Sequence, residues 1–409
     1  MKQLLFTLVI SLPFVITSCN EDDGLSSATQ ERKDIVLSRS EEQITNENVK
    51  FAFSLFNKVN ELEKEKNNWM ISPFSASVAL SMIANGADGN TLAELQDAMG
   101  FKGFSMDEIN NYYKRLDAEL KALDNTAKLS IANSVWIDNS LSIYDSFAKV
   151  NKEMYNAPVT KLDLSAPEAL TTINKWCADK TENLIPQILE EMPKDMAACF
   201  LNALYFKGIW KNKFKKSDTK NEIFTCVGGR TKSVKMMRQR EELYCWSNET
   251  FALAEFPYGN EAFSMVILLP QENKSLEESL EQFTSDCWTE SVEMEKKELD
   301  VRFPRFEMKY ETDLIKAMKA MGVTEMFDSD NANFSNMATN DTFISLLKQS
   351  TYIKVDEEGT EAAVVTMGGK ISIDNMLEQG KFYMDRPFAF LIKEKSTGTI
   401  LFMGKVTEP

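Results

Sequence analysis

Apolar residues at Ala52, Leu55, Phe56, Val59 and Leu62 recur every three or four positions, the spacing of a helix with one buried face. Ser72-Pro73-Phe74-Ser75 then opens a nearly all-apolar run from Val78 to Ile83, expected as a helix buried on every side. Thr91-Leu-Ala-Glu94 has the form of a capping box, and the helix it starts should stop at Gly100. Later in the chain the period changes. Phe263 to Leu269 is a continuous apolar run ending at Pro270, as in a strand covered on both faces. Phe388 to Ile392 and Ile400 to Val406 flank Ser396-Thr397-Gly398, which predicts a hairpin. Helices first and strands later make an α+β fold with large sheets.

Two segments at the start fall outside this pattern. Lys2 followed by the apolar run Leu4 to Ile16 and by Thr17-Ser18-Cys19 has the charged start, short apolar core and small-residue end of a secretory signal. The run is too short to span a bilayer stably. A cysteine at the cut site resembles a bacterial lipobox, which implies removal of residues 1–18 and a lipid on Cys19, although Ile16 and Thr17 depart from the commonest lipobox residues. Asn20-Glu21-Asp22-Asp23 resembles an acidic tag that sends lipoproteins to the outer face of the outer membrane. The expectation is therefore a surface-exposed outer-membrane lipoprotein, or otherwise a secreted protein, that touches a membrane only through that lipid. Polar residues fill 19–45, which reads as a flexible tether before a single domain over 46–409.

Composition removes whole classes of chemistry. The chain of 409 residues has no histidine, which excludes Ser-His-Asp and Cys-His catalysis and His-ligated zinc. Cys177, Cys199, Cys226, Cys245 and Cys287 show no C-x-x-C spacing, so no metal site and no cofactor is expected. A bridge between Cys226 and Cys245 stays open at this stage. The net charge of −16 disfavours nucleic acid as a partner. The run Lys207, Lys211, Lys213, Lys215, Lys216 is the exception, either a solvated lysine face or a polyanion site.

The most informative stretch is Val355-Asp-Glu-Glu-Gly-Thr-Glu-Ala-Ala-Val-Val-Thr-Met-Gly-Gly369. Gly359 is a natural backbone pivot. Ala362, Ala363, Val364, Val365 and Thr366 after it are small or β-branched and uncharged, so they suit an extended strand entering a packed sheet. Thr360, Ala362, Val364 and Thr366 share one face, and Glu361 lies on the other. Glu357 and Glu358 precede the pivot and, as neighbours on an extended chain, face opposite ways. That makes a carboxylate-based hydrolase a remote reading.

This stretch resembles the reactive-loop hinge of the serpins, and the resemblance extends over nearly everything from about Asn46 onward. Asn68-Trp-Met-Ile-Ser-Pro-Phe-Ser-Ala76, Gly86-Ala-Asp-Gly-Asn-Thr91, Phe200-Leu-Asn-Ala-Leu-Tyr-Phe-Lys-Gly-Ile-Trp210, Phe327 to Met337, Asp385-Arg-Pro-Phe-Ala-Phe390 and Leu401-Phe-Met-Gly-Lys405 are similar to family motifs and stand in the family's order. The resemblance implies a monomeric serpin fold and a suicide inhibitor of serine proteases that does no catalysis itself, with papain-like proteases as further targets. A target cuts the loop, about 359–380, and the freed loop inserts into the main sheet. The alternative is a non-inhibitory relative acting as a binding or carrier module. Trp210 corresponds to the breach tryptophan. Ser72, Ser75 and Asn202 match the shutter cluster, where Gln349 stands in place of the family's histidine.

The reactive bond has three candidates. Counting from the pivot gives Ile373 before Asp374, suited to elastase-like or subtilisin-like proteases. Fifteen extended residues from Gly359 to Ile373 span roughly 50 Å. Lys370 before Ile371 would suit trypsin-like enzymes with an acidic pocket. Counting back from Pro387 points instead to Met376 and Leu377.

Overall fold

The computed structural model describes residues 30–192, 197–291, 293–358 and 376–409. The helices are α1 (Arg39–Leu62), α2 (Pro73–Ala84), α3 (Gly89–Met99), α4 (Met106–Ala122), α5 (Asp145–Tyr155), α6 (Pro167–Lys180), α7 (Leu276–Gln282), α8 (Ser285–Glu290) and α9 (Ile315–Ala320). The strands are β1 (Asn68–Ile71), β2 (Ala127–Asp138), β3 (Val159–Leu162), β4 (Ala198–Gly208), β5 (Lys220–Thr225), β6 (Thr231–Ser247) and β7 (Phe251–Pro257). They continue with β8 (Phe263–Pro270), β9 (Glu295–Pro304), β10 (Phe306–Asp313), β11 (Ile344–Val355), β12 (Lys381–Tyr383), β13 (Phe388–Glu394) and β14 (Ile400–Val406).

Two sheets organise these elements. One runs β10-β11-β4-β2-β3; the other runs β1-β14-β13-β8-β7-β6-β9-β12, with β5 paired to β6. In the first sheet β11 lies parallel to β4, β10 is antiparallel to β11, β2 is antiparallel to β4, and β3 is parallel to β2. α2 is buried along its whole length and makes contacts with both β4 and β14, so it ties the two sheets together. This explains why its sequence lacks a polar face. Within the second sheet, Gly404 on β14 permits a close approach to its neighbour: a Cβ there would stand 2.7 Å from the Trp69 carbonyl oxygen on β1.

Most sequence-based elements have the expected type. α2 is capped by Ser72, whose hydroxyl accepts the Ser75 N–H; β8 is buried at every position; and β13 and β14 pair as an antiparallel hairpin. The capping box expected at Thr91 is corrected. α3 starts two residues earlier, at Gly89 with Asp88 as its cap, because the Thr91 hydroxyl is engaged with Glu325 and with the Asn333 N–H. Gly100 does end that helix, in the left-handed conformation (φ 70°).

The boundary between tether and domain at residue 45 is also corrected. α1 begins at Arg39 behind a Ser38 cap completed by Glu41, and the residues before it are already fastened. Gln30 donates to the Ala122 carbonyl at 3.0 Å, the Ile35 N–H donates to Ser396 Oγ at 2.9 Å, and Arg115 donates to the Val36 carbonyl at 2.7 Å. Ile35 is buried in the main core. A polar composition concealed one apolar anchor and a helix cap. The five cysteines from Cys177 to Cys287 are free thiols, so the Cys226–Cys245 bridge does not form.

One buried carboxyl stands out on β6. Burial pushes Glu241 up to about 7, against the weaker opposing effect of hydrogen bonds from Asn212 and Gln239 and the charge of Lys211. Those bonds measure 2.6 and 2.5 Å. Between its ordinary value of 4.5 and 7 the folded protein holds a proton that the unfolded chain releases. Stability is therefore fully present below 4.5 and is lost as pH rises toward 7, by about 3 kcal/mol at most. Glu241→Gln should raise the thermal midpoint at pH 8 and leave it nearly unchanged at pH 4.5; equal effects at both would show that the carboxyl does not carry this cost. A chain starting at Arg39 should also unfold more easily than one starting at Gly24. Loss of the Ile35 burial and of the Ser38 cap together removes about 3 kcal/mol, and equal denaturation midpoints would restore the tether reading.

Candidate functional site

The parallel seam between β11 and β4 is where the sequence-derived site residues converge. Strand register sets Thr312 (β10), Gln349 (β11), Asn202 (β4) and Asn133 (β2) side by side in one row across the sheet. All four are buried. Gln349 Oε1 accepts the Ser72 backbone N–H at 2.7 Å, and Gln349 Nε2 donates to the Ser72 carbonyl at 3.0 Å and to Asn202 Oδ1 at 3.4 Å. Asn202 Nδ2 in turn donates to Asn133 Oδ1 at 2.7 Å. An amide can donate and accept at once, so Gln349 grips both backbone groups of the residue that caps α2. Ser75 belongs to the same cluster through its N–H, 3.2 Å from Ser72 Oγ. The hydroxyls of Ser75 and Ser350 are buried without a hydrogen-bond partner among the described residues. Each such group costs about 1–3 kcal/mol.

A second cluster sits at the C-terminal end of β11. Trp210 stacks on Tyr258, with ring centroids 4.2 Å apart, and its indole N–H donates to the Asp356 carbonyl at 3.0 Å. Glu357 follows and turns inward, 2% exposed. Arg305 donates to Glu357 Oε1 at 2.6 Å, and the Thr219 hydroxyl donates to the same oxygen. Burial raises the Glu357 carboxyl, but Arg305 and Thr219 outweigh it and hold it below its usual range. Glu358 points outward and pairs with Lys216. The two glutamates thus do opposite jobs, from a turn beyond β11 and not from the extended chain expected for them.

The hinge Gly359, Thr360, Glu361, Ala362, Ala363, Val364, Val365 and Thr366 lies outside the described residues, as do Lys370, Ile371, Ile373, Asp374 and Cys19 with the leader. Met376 and Leu377 are described, and they are corrected as reactive-bond candidates. They are 6% and 3% exposed in the main core, where a protease has no access to the bond between them. The expected far limit of the loop, about 380, falls within a hydrogen-bonded turn that begins at Met376.

Sequence reasoning missed Asn133, Thr312, Arg305, Thr219 and Tyr258. Arg305 had a faint signal, a lone charge between Pro304 and Phe306. Asn133 is a polar residue inside an apolar strand, and only strand register reveals that it meets Asn202. In the lysine run, Lys211 pairs with Glu261 and Lys216 with Glu358, which reduces the free charge available to a polyanion. Among the described residues no cluster of His, Cys, Asp and Glu is fit to hold a metal ion, and no helix is long and apolar enough to cross a membrane.

Comparison with known proteins agrees with this architecture. Residues 46–409 match the family described as "Serpin (serine protease inhibitor)". Human leukocyte elastase inhibitor is 33% identical over 382 residues, covering 90% of this chain and 100% of that protein. Human neuroserpin is 33% identical over 361 residues, covering 84% of this chain and 87% of its own. The crystal structure of native protease nexin-1 with heparin superposes with a TM-score of 0.82 at 27% identity, covering 90% of this chain and 100% of that one. The expectation of a protein that is simply no enzyme is corrected by these names. One relative is named as an inhibitor of leukocyte elastase and the family is described as a serine protease inhibitor, so the bare negative does not describe the class. With fold and family match in agreement, the chain belongs to the serpins, and protease inhibition is the activity of its family.

Proposed function

We propose that this serpin is a covalent trap for serine endopeptidases, with papain-like cysteine proteases as secondary targets. The observation that carries the reading is the parallel β11–β4 seam, eight register pairs from Ile344↔Ala198 to Tyr352↔Tyr205. Chain leaving β11 and folding back between these strands runs antiparallel to β11 and therefore also to β4. One parallel ladder is replaced by two antiparallel ones, each slightly stronger per residue. The fourteen positions 360–373 amount to roughly 46 Å of strand, enough to fill a slot lined by strands of 11 and 12 residues.

The protease supplies the nucleophile. Its serine attacks the Ile373 carbonyl, the bond to Asp374 breaks, and the Asp374 amine leaves with a proton while the acyl-enzyme stays on Ile373. Insertion then competes with hydrolysis of that ester. Ile373 suits elastase-like and subtilisin-like targets, in keeping with a relative named for leukocyte elastase. Lys370 would serve trypsin-like ones. Glu357 and Trp210 hold the start of the hinge, and the shutter row holds the seam closed until the loop is cut. The native state is then kinetically rather than thermodynamically secured. A lipid on Cys19 would keep this monomeric inhibitor at a bacterial outer surface, a reading supported by the leader sequence.

The test is to incubate protein starting at Gly24 with elastase-, subtilisin-, trypsin- and papain-like proteases, run denaturing gels and weigh the released C-terminal peptide. A denaturant-resistant complex with a peptide starting at Asp374 or Ile371 is expected. Clean cleavage without complex for every protease would make the chain a carrier-like relative. Val364→Arg should be cut as fast as the parent yet form almost no complex, since insertion would bury an unpaired charge at a cost of several kcal/mol. The shutter row contains no titratable group. In a Glu241→Gln background the fraction of cleaved molecules that trap the protease should therefore stay constant from pH 5 to 8, once the protease's own titration is divided out. Gln349→His should introduce a pH dependence there, and a sharp change without it would place a titrating group in the seam.

A further inference from the structure

Met376 and Leu377 are more than failed candidates for the reactive bond. They begin a tight turn over residues 376–380 in which the Gly380 N–H donates to the Leu377 carbonyl at 3.2 Å and the Lys381 N–H to the Met376 carbonyl at 3.1 Å. The Asp300 N–H then donates to the Gly380 carbonyl at 2.8 Å, and β12 continues alongside β9 from Lys381↔Asp300 to Tyr383↔Arg302. The Tyr383 hydroxyl donates to Asp300, and its ring lies 4.0 Å from the Arg302 guanidinium. Gly380 has φ 66°, a conformation β-branched residues resist, while a Cβ there would find only the Glu298 carbonyl at 3.6 Å. The chain is therefore fastened from Met376 onward by side-chain burial, a glycine-dependent turn and a strand pair.

A protease binds its substrate extended, with residues on both sides of the scissile bond in its cleft. Cutting after Ile373 leaves only Asp374 and Asn375 between that bond and the fastened Met376; cutting after Lys370 leaves the five residues 371–375. We propose that Met376 and Leu377 are specificity-determining residues that fence the primed side of the loop. The fence bars the bonds flanking Met376 and Leu377, although both side chains fit an apolar specificity pocket. It also reserves the Ile373–Asp374 bond for proteases whose clefts engage no more than two residues beyond the bond, and directs enzymes with longer primed-side clefts to bonds upstream. Reaching past the fence requires pulling two large apolar side chains out of the core, which slows cleavage by about a hundredfold or more. The inference rests on residues 359–375 being the bait, but it concerns where cuts fall and not whether a trap forms.

The experiment maps cuts by mass spectrometry during digestion with a chymotrypsin-like protease, whose apolar slot accepts Met and Leu. It compares the folded protein, its Gly380→Val variant and a synthetic peptide spanning residues 370–383. The peptide should be cut after Leu377, whereas the folded protein should yield the fragment starting at Glu378 about a hundredfold more slowly. Gly380→Val keeps the Met-Leu sequence and disturbs only the turn, so it should raise that rate at least about tenfold. Should this variant fail to fold, Met376→Ser combined with Leu377→Ser provides the second arm. Enzymes that cut the parent upstream should then move toward Ile373–Asp374. Cleavage of the folded parent after Leu377 at the peptide's rate, or an unchanged cut map in both variants, would overturn the fence. Because cuts are scored whether or not a complex forms, failure of trapping and failure of the fence are separate results.

Discussion

The seam between β11 and β4 is the constraint on which the rest of this molecule depends. Two parallel strands at the centre of an otherwise largely antiparallel sheet are joined where Gln349 meets Asn202, and the same glutamine holds the first turn of α2 through both backbone groups of Ser72. α2 is wholly buried and connects the two sheets, so any widening of the seam is felt in the core. A polar row at such a place costs desolvation and is worth having only when its groups are paired. Most are, but the lone hydroxyls of Ser75 and Ser350 leave the closed seam short of full satisfaction.

The chain on either side of residues 359–375 is held by different physics. On the upstream side the hold is polar: Asp356 to Trp210, Glu357 to Arg305 and Thr219, Glu358 to Lys216. Such a clasp is strong while its charges are paired, and several of its members sit near solvent, where water can replace lost partners. On the downstream side the hold is apolar, through Met376 and Leu377, and is reinforced by strand pairing to β9. An apolar anchor has no substitute partner in water. In the mechanism proposed above, this pairing of a releasable upstream hold with a firm downstream one would let the upstream half leave after cutting while the C-terminal fragment stays with β13 and β14.

Much of this was legible in the chain itself, for identifiable reasons. Elements whose environment is uniform announced themselves: α2 and β8 are apolar throughout because they are covered on all sides, and Gly100 ends a helix because few other residues take a left-handed cap so readily. Ser72, Asn202 and Gln349 could be named together because family motifs surround them. Errors came where a short polar stretch carries one decisive apolar residue. Ile35 fastens a segment that composition alone labels a tether, and the Thr91 hydroxyl, which looked like a helix cap, is engaged by Glu325 and Asn333 from a distant part of the chain.

The sequence by itself determined the fold class, the family, the absence of histidine chemistry and the small, uncharged run from Ala362 to Thr366, since each of these is a property of local pattern or composition. Only the tertiary structure decided which polar residues share a row, which glutamate turns inward and where the loop is fastened. Register brings Asn133 and Thr312 into line with Gln349 from more than two hundred residues away and from the adjacent antiparallel strand β10, respectively. Arg305 reaches Glu357 across 52 positions of chain. Met376 and Leu377 look like bait in a sequence and like an anchor in the fold, because burial depends on what packs around a side chain and no local pattern encodes it.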